Sequence, residues 1–253
     1  TPNPTILKTI TVGNNPQNIL ITPNGNFVYV TNSNSNSVTI IQNASTPNPS
    51  ILTTLSTGAG TTPFAMSITP DGGTLYIANL NNSSVRVIQN ASSAPTFLTT
   101  IEVGANPYSI VITPDSSYAY IYCYGATPTV YVIEAANTTT PVILTTITVG
   151  AVQTSFLNRQ LMAITPDGKY VYVANCGAAT TTIIQNASTS NPSILTTLTT
   201  GLSSNGVTMS NDGHFAYVAN QQFGISLIVN SISPIAILNF TAQNQPKFLS
   251  VIP

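Results

Sequence analysis

One phrase recurs along this chain at nearly constant spacing, and that recurrence restricts the fold more than any other feature. Leu7-Lys-Thr-Ile, Leu52-Thr-Thr-Leu, Leu98-Thr-Thr-Ile, Leu144-Thr-Thr-Ile and Leu195-Thr-Thr-Leu stand 45, 46, 46 and 51 residues apart, and a weaker sixth copy begins near Ile237. A fixed period of about 40–50 residues marks a propeller or a solenoid, in which neighbouring repeats complete each other's core.

Each period reads as four short strands. In the first they are Asn18-Ile-Leu-Ile-Thr22, Phe27-Val-Tyr-Val30, Val38-Thr-Ile-Ile41 and Ile51-Leu-Thr-Thr-Leu55. They are rich in β-branched and aromatic residues and bounded by Pro, Gly and Asn, and no segment sustains a helical period. The first two strands are joined at Asn24-Gly25, Asp71-Gly72, Asp115-Ser116, Asp167-Gly168 and Asp212-Gly213. This chemistry predicts two-residue type I′ turns with positive φ at both positions. Four of the six acidic residues are therefore turn formers rather than catalytic carboxylates. Tyr29, Tyr76, Tyr120, Tyr172 and Tyr217 share one position of the second strand. Such repetition predicts packing between blades, with each hydroxyl reaching a partner. The fold class is all-β, a β-propeller of four-stranded antiparallel blades.

Charge narrows the function. Only 4% of residues are charged, and five basic side chains against six acidic ones leave a net charge of −1. No basic stripe is present to neutralise phosphates, which argues against nucleic acid, and no polybasic segment faces an anionic membrane. No apolar run approaches the roughly 20 residues of a spanning helix. A surface so near neutrality lacks self-repulsion, which favours association.

The phrases Tyr29-Val-Thr-Asn32, Tyr76-Ile-Ala-Asn79, Tyr172-Val-Ala-Asn175 and Tyr217-Val-Ala-Asn220 resemble the YVTN β-propeller repeat, as do the flanking Ile-Thr-Pro-Asp-Gly and Thr-Ile-Thr-Val-Gly phrases. The third blade departs from it, with Cys123 in place of the Asn. The resemblance implies a propeller of the kind found in surface-layer and cell-surface proteins. It also takes in lactonase-like relatives and binding modules, so fold alone does not give function.

Internal alignment places the chain ends within the repeat. Thr1-Pro-Asn-Pro-Thr-Ile-Leu7 matches Thr46-Pro-Asn-Pro-Ser-Ile-Leu52, and Asn244–Pro253 aligns with Asn14–Pro23. The expectation is a single domain of five complete blades plus a split sixth. An outer strand at 5–12 precedes blades at about 16–57, 63–103, 107–149, 159–200 and 205–241, and an inner strand follows at 246–252. The split blade admits three explanations: a piece of a longer six- or seven-bladed protein, completion by strands of a neighbouring molecule, or closure on a deficient blade. Exposed strand edges at both ends recruit strands from other chains, so self-association is expected there.

Residues for chemistry are few. The single histidine, His214, follows the Asp212-Gly213 turn at a hairpin surface position, and no G-x-S-x-G, HExxH, P-loop or CxxC motif occurs. The reading is no catalytic residue, no metal and no cofactor, with a carbonyl- and amide-lined Ca²⁺ site the one metal alternative. The repeat is broken where Gly150 to Pro166 spans sixteen residues against ten from Gly104 to Pro114. This insertion supplies Gln153, Asn158, Arg159 and Gln160, and the equivalent connections carry Tyr108 and Phe64, giving a candidate binding rim for a glycan, carboxylate or partner protein on one axial face. Cys123 and Cys176 stand one repeat apart, offset by one position, as a candidate interblade disulfide. Asn43, Asn90 and Asn186 lie in one recurring Gln-Asn-Ala-Ser phrase and, with Asn81, Asn82, Asn137 and Asn239, are candidate glycosylation sites.

These features give the functional expectation: an extracellular or cell-surface structural protein, non-catalytic, acting by self-assembly into a filament or surface layer or by adhesion. A glycan- or peptide-binding module using one axial face is the alternative, and a lactonase-like hydrolase the second alternative.

Overall fold

The computed structural model describes residues 3–150, 160–201, 204–220 and 224–229, together with the backbone of 237–240. Every described element is a β-strand, and the strands form five four-stranded antiparallel sheets arranged as propeller blades. Blade 1 holds β1 (Pro16–Ile21), β2 (Phe27–Asn32), β3 (Ser37–Gln42) and β4 (Ser50–Ser56). Blade 2 holds β5 (Pro63–Ile68), β6 (Thr74–Asn79), β7 (Ser84–Gln89) and β8 (Thr96–Glu102). Blade 3 holds β9 (Pro107–Ile112), β10 (Tyr118–Cys123), β11 (Thr129–Glu134) and β12 (Val142–Thr148). Blade 4 holds β13 (Met162–Ile164), β14 (Tyr170–Asn175), β15 (Thr180–Gln185) and β16 (Ser193–Thr199). Blade 5 holds β17 (Ser204–Met209), β18 (Phe215–Asn220), β19 (Gly224–Val229) and β20 (Ile237–Phe240).

In each blade the strands pair in chain order, and the first strands of successive blades neighbour one another around the axis. Burial follows this order. Second and third strands are buried almost throughout, whereas the fourth strands alternate between exposed and half-buried positions. Ile19 and Ile21, on the face of β1 opposite Leu20, are 71% and 55% exposed.

The hairpin joining the first two strands differs from the predicted type I′ turn. Of the pair Asn24-Gly25 only Gly25 has positive φ, at 71°, and the same holds at Gly72, Ser116, Gly168 and Gly213. The loop is four residues long, closed by Thr22 N–H donating to Phe27 O and Gly25 N–H donating to Thr22 O. Pro23 favours this loop, since its fixed φ suits the second position of a type I turn, but blade 5 forms it with Asn211 there; common to both is the Thr22 or Ser210 hydroxyl that accepts from the amide of Phe27 or Phe215. The Asn24 side chain accepts from the Thr22 hydroxyl and the Asn26 amide, and Asp71, Asp115, Asp167 and Asp212 do the same in their blades.

The Gln-Asn-Ala-Ser phrase has a packing cause at each position. Gln42, Gln89 and Gln185 donate to Ser50, Thr96 and Ser193 on the fourth strand. Asn43, Asn90 and Asn186 take left-handed backbone, φ 56°, 54° and 57°, which asparagine tolerates better than most residues. The next alanine offers its carbonyl to the preceding blade: Tyr29 Oη donates to Ala91 O and Tyr120 Oη to Ala187 O, at 2.7 and 2.9 Å. The serine hydroxyls of Ser45 and Ser188 donate to the hairpin carbonyls of Gly25 and Gly168. Asn43, Asn90 and Asn186 are exposed, as are Asn81, Asn82 and Asn137; Asn239 lies in β20.

Residues 5–12, expected as an outer strand, pair with no strand among the described residues. A fourth strand needs a third strand beside it, and none of the described sheets offers a free one. Ile6 and Leu7 are exposed, and Lys8 Nζ donates to Pro49 O. The expected inner strand at 246–252 lies outside the described residues.

Candidate axial binding site

The first strands of blades 1 to 4 enclose an axial cavity of about 610 Å³. Its wall is built one register position at a time. Gln17, Phe64, Tyr108 and Gln160 occupy one position, each six residues or fewer from the Thr-Pro that ends the first strand of its blade. Asn18, Ala65 and Ser109 follow, then Ile19, Met66 and Ile110, while Ile112 and Ile164 lie farther along the same strands. The cavity is thus polar and aromatic toward one axial end and aliphatic toward the other.

Cross-blade hydrogen bonds hold the polar end in place. The Asn18 amide donates to Thr31 Oγ1 at 3.0 Å, and that hydroxyl donates to Phe64 O at 3.0 Å, locking β1 to β5 through a side chain of β2. Ser33 Oγ donates to Pro63 O at 2.6 Å, directly before Phe64. Gln17 Nε2 donates to Asn15 Oδ1. The Phe64 and Tyr108 rings meet with centroids 4.7 Å apart and planes inclined at 33°. Tyr124 packs edge-on against Tyr108 at 5.6 Å, and burial raises the Tyr124 phenol above its ordinary pKa. Tyr108 is itself buried, so its ring is held from behind while Phe64 stays half-buried at the cavity wall.

Of the rim residues read from the sequence, Phe64, Tyr108 and Gln160 come together on this wall, and Gln153, Asn158 and Arg159 lie outside the described residues. Gln17, Asn18, Ser109 and Tyr124 were missed. Gln17 carries the one available signal: it follows Pro16 as Phe64 follows Pro63 and Tyr108 follows Pro107. His214 stands away from the cavity on the blade 5 hairpin, its Nδ1 3.1 Å from Asp212 Oδ2 and largely exposed. Among the described residues no group of three or more His, Cys, Asp or Glu is placed to hold a metal ion, and no helix is long and apolar enough to cross a membrane.

The candidate disulfide is corrected: Cys123 and Cys176 are both buried and are not joined by a disulfide. Cys123 belongs to the core between blades 2 and 3, whereas Cys176 belongs to the core that runs on through blades 4 and 5. Their one-position offset is the reason, because strand side chains alternate between faces. Cys176 Sγ donates to Asn205 Oδ1 at 3.0 Å. Burial pushes the Cys123 thiol up to about 12, against a smaller lowering from the Gly104 amide.

Comparison with known proteins shows what this geometry is similar to. Residues 3–99 match the family described as lactonase, 7-bladed β-propeller. A search of curated proteins finds no match. Among solved structures, a protein of unknown function from Desulfotomaculum acetoxidans is similar at a TM-score of 0.75 and 19% identity, covering 90% of this chain and 70% of its own. A Bacteroides fragilis protein provisionally assigned as a 6-phosphogluconolactonase is similar at 0.71 and 19%, covering 93% and 72%. The periplasmic gluconolactonase of Pseudomonas aeruginosa is similar at 0.60 and 14%, covering 73% and 54%. The fold is that of a lactonase-like propeller.

These matches overturn two expectations. The reading of the chain as a non-catalytic structural protein that assembles into filaments or layers gives way to the lactonase likeness, and with it the reading that it is not an enzyme. The matches carry the propeller and the lactonase likeness but not the surface-layer branch of the resemblance. The physical reason is that the cavity wall draws its residues from four blades, so residues brought together there lie about one repeat apart and no compact motif marks them in the sequence.

Proposed function

We propose that this protein is a lactonase-like hydrolase that binds its lactone in the axial cavity. The observation that carries this reading is the lactonase-family match over residues 3–99, the stretch that supplies Gln17, Asn18 and Phe64 to the cavity wall. Opening a lactone adds water across the ring ester: the acyl carbon gains a hydroxyl, the ring oxygen leaves as an alcohol, and the product acid releases a proton. The barrier falls when donors are already aimed at the oxygen on which charge develops. The side-chain amides of Asn18 and Gln160 and the hydroxyl of Ser109 line the wall and can supply such donors, beside the aliphatic side chains of Ile112 and Ile164.

Titration of the acid released from δ- and γ-lactones at constant pH tests the proposal. Saturable, protein-dependent release, reduced at least tenfold by Asn18→Ala, is expected. Release no faster than in buffer across the lactone series would overturn it.

A further inference from the structure

Several residues of the cavity wall stand where the sheet ladder is broken. In β1 the register slips between Pro16, opposite Asn32, and Asn18, opposite Thr31, which leaves Gln17 as the extra residue. In β5 it slips between Pro63 and Met66, around Phe64 and Ala65, and in β9 between Pro107 and Ser109, around Tyr108. Gln17, Phe64, Ala65 and Tyr108 all line the cavity. A bulge re-aims a side chain, but it also leaves backbone groups without their ladder partners, and those groups need others.

At the seam between blades 1 and 2 one side chain serves both bulges. Thr31 Oγ1 accepts from the Asn18 amide on β1 and donates to Phe64 O on β5, each at 3.0 Å. A hydroxyl has one proton to give and lone pairs to accept with, so the two bonds together fix its orientation. Blade 1 holds the two residues before Phe64 as well: Ser33 Oγ donates to Pro63 O, and Asn36 Oδ1 accepts from the Thr62 amide. Thr31 adds the tie back to β1. It is fully buried and is not itself a wall residue. The other blades have Ala78, Tyr122, Ala174 and Ala219 at this position, so the bridge is not a requirement of the repeat.

We infer that Thr31 is a positioning residue of the axial site: its hydroxyl sets where Asn18 and Phe64 stand relative to each other across the blade seam, and it acts on the lactone through Asn18 without touching it. This rests on the reading of the cavity as the hydrolytic site. A donor held in advance where charge develops costs no rearrangement during the reaction, so its support matters most in the transition state.

Two substitutions separate the hydroxyl from the side chain's shape. Thr31→Val keeps the shape and removes the hydroxyl, and Thr31→Ser keeps the hydroxyl. Thr31→Val is expected to lower kcat for lactone opening about fivefold or more, and Thr31→Ser by less than about twofold. On an Asn18→Ala background Thr31→Val should change kcat by less than about twofold, because the group it positions is gone. Rates are compared where circular dichroism shows each protein folded. If Thr31→Val does not fold, Thr31→Ala replaces it, since blades 2, 4 and 5 carry alanine there. Amide hydrogen exchange, followed by NMR on the same proteins, needs no turnover. Exchange at Asn18 should quicken about tenfold or more in Thr31→Val and stay near wild type in Thr31→Ser, with the Ile40 amide on β3 unchanged in both. Wild-type kcat in the folded Thr31→Val protein, an equal loss on the Asn18→Ala background, or unchanged Asn18 exchange would overturn the inference. A wild-type protein that opens no lactone, yet shows the expected exchange pattern, would sink the hydrolase reading and leave the Thr31 tie between Asn18 and Phe64 standing.

Discussion

The phenol of Tyr120 in blade 3 donates a 2.9 Å hydrogen bond to the carbonyl of Ala187 in blade 4, and both groups are buried. The same bond joins Tyr29 to Ala91 and Tyr76 to Ala136, so blades 1, 2 and 3 each reach the next at a fixed place between the second strand and the loop after the neighbour's third. The repeated tyrosine is thus both an apolar ring filling the interblade core and a polar clamp at its end. Loss of the hydroxyl alone separates these two roles.

Tyr76→Phe keeps the ring and strands the Ala136 carbonyl in the core. An unsatisfied buried acceptor costs about 1–3 kcal/mol. A lowering of the melting temperature by several degrees, with the far-ultraviolet spectrum unchanged, is expected. A variant melting within one degree of wild type would show that water satisfies the carbonyl and that the clamp carries no energy.

Stability should respond to pH at the two extremes. Hydrogen bonds from the Ser210 hydroxyl and the His214 amide hold the Asp212 carboxyl down to about 2. Partial burial pushes the Asp115 and Asp167 carboxyls up, but hydrogen bonds from Thr113 and Ser117, and from Thr165 and Lys169, leave both below their ordinary value. A carboxyl with a lowered folded-state pKa contributes stability above its unfolded value, near 3.9, and loses it as the pH falls toward the folded one. At the alkaline end burial pushes the Tyr172 phenol up to about 12 and raises Tyr29, Tyr76 and Tyr120 as well. Those groups contribute fully below the unfolded value near 10 and lose their contribution as the pH climbs through the folded values. Burial raises the Cys123 thiol in the same way, and its contribution is lost above its unfolded value of about 8.5, so the melting temperature should stay level from about pH 5 to 8 and fall below about 4 and above about 9. A steep decline between pH 7 and 5 would contradict this assignment.

The thiols offer a direct chemical test. Cys123 and Cys176 are buried and not joined by a disulfide, and burial leaves Cys123 protonated far above neutral pH. Because the thiolate is the reactive species, native protein should react with an aromatic disulfide reagent at a negligible rate. Denaturation without reductant should release both thiols. Finding none in the denatured chain would restore the interblade disulfide.

How much of this was legible beforehand differs by residue. The strands, the tyrosine register and the aspartate turns were readable because a repeat compares a chain with itself. The turn type was not, since Asn-Gly suits a two-residue loop and the structural weight lay with Pro23 and the Thr22 hydroxyl outside that pair. The recurring asparagine of the second strand was legible as a pattern but not as a cause. Asn32 Nδ2 donates to Ser37 and Thr39, and Asn175 Nδ2 to Thr180 and Thr182. A Cβ on Gly13 or Gly150 would stand 2.8 or 2.7 Å from those asparagine side chains, which is why glycine closes the Thr-Val-Gly phrase. For the cavity, Phe64 and Tyr108 stood out as aromatic residues, whereas Gln17 and Asn18 looked like the ordinary start of a first strand until blades 1 to 4 were placed around one axis.

The same comparison explains the irregular third blade. Where the other blades have asparagine, blade 3 has Cys123, and where Thr39 and Thr182 stand, it has Tyr131. A Cβ on Gly104 would lie 2.8 Å from Tyr131 Cε2 and 3.1 Å from Cys123 Cβ, so the tyrosine ring fills the space that the asparagine amide takes elsewhere. The two substitutions should be energetically coupled. Cys123→Asn alone puts an amide against Tyr131 without the second hydroxyl that Asn32 and Asn175 use, and burying a poorly satisfied amide costs about 1–3 kcal/mol. Tyr131→Thr alone empties a partly buried aromatic site. The double variant restores the arrangement of blades 1 and 4, with Thr129 in the place of Ser37 and Thr180. Denaturant unfolding of the four proteins should show the double variant more stable than the sum of the single losses by about 1 kcal/mol or more, the range expected for residues in contact. Additive losses would mean that Tyr131 does not compensate for the missing asparagine.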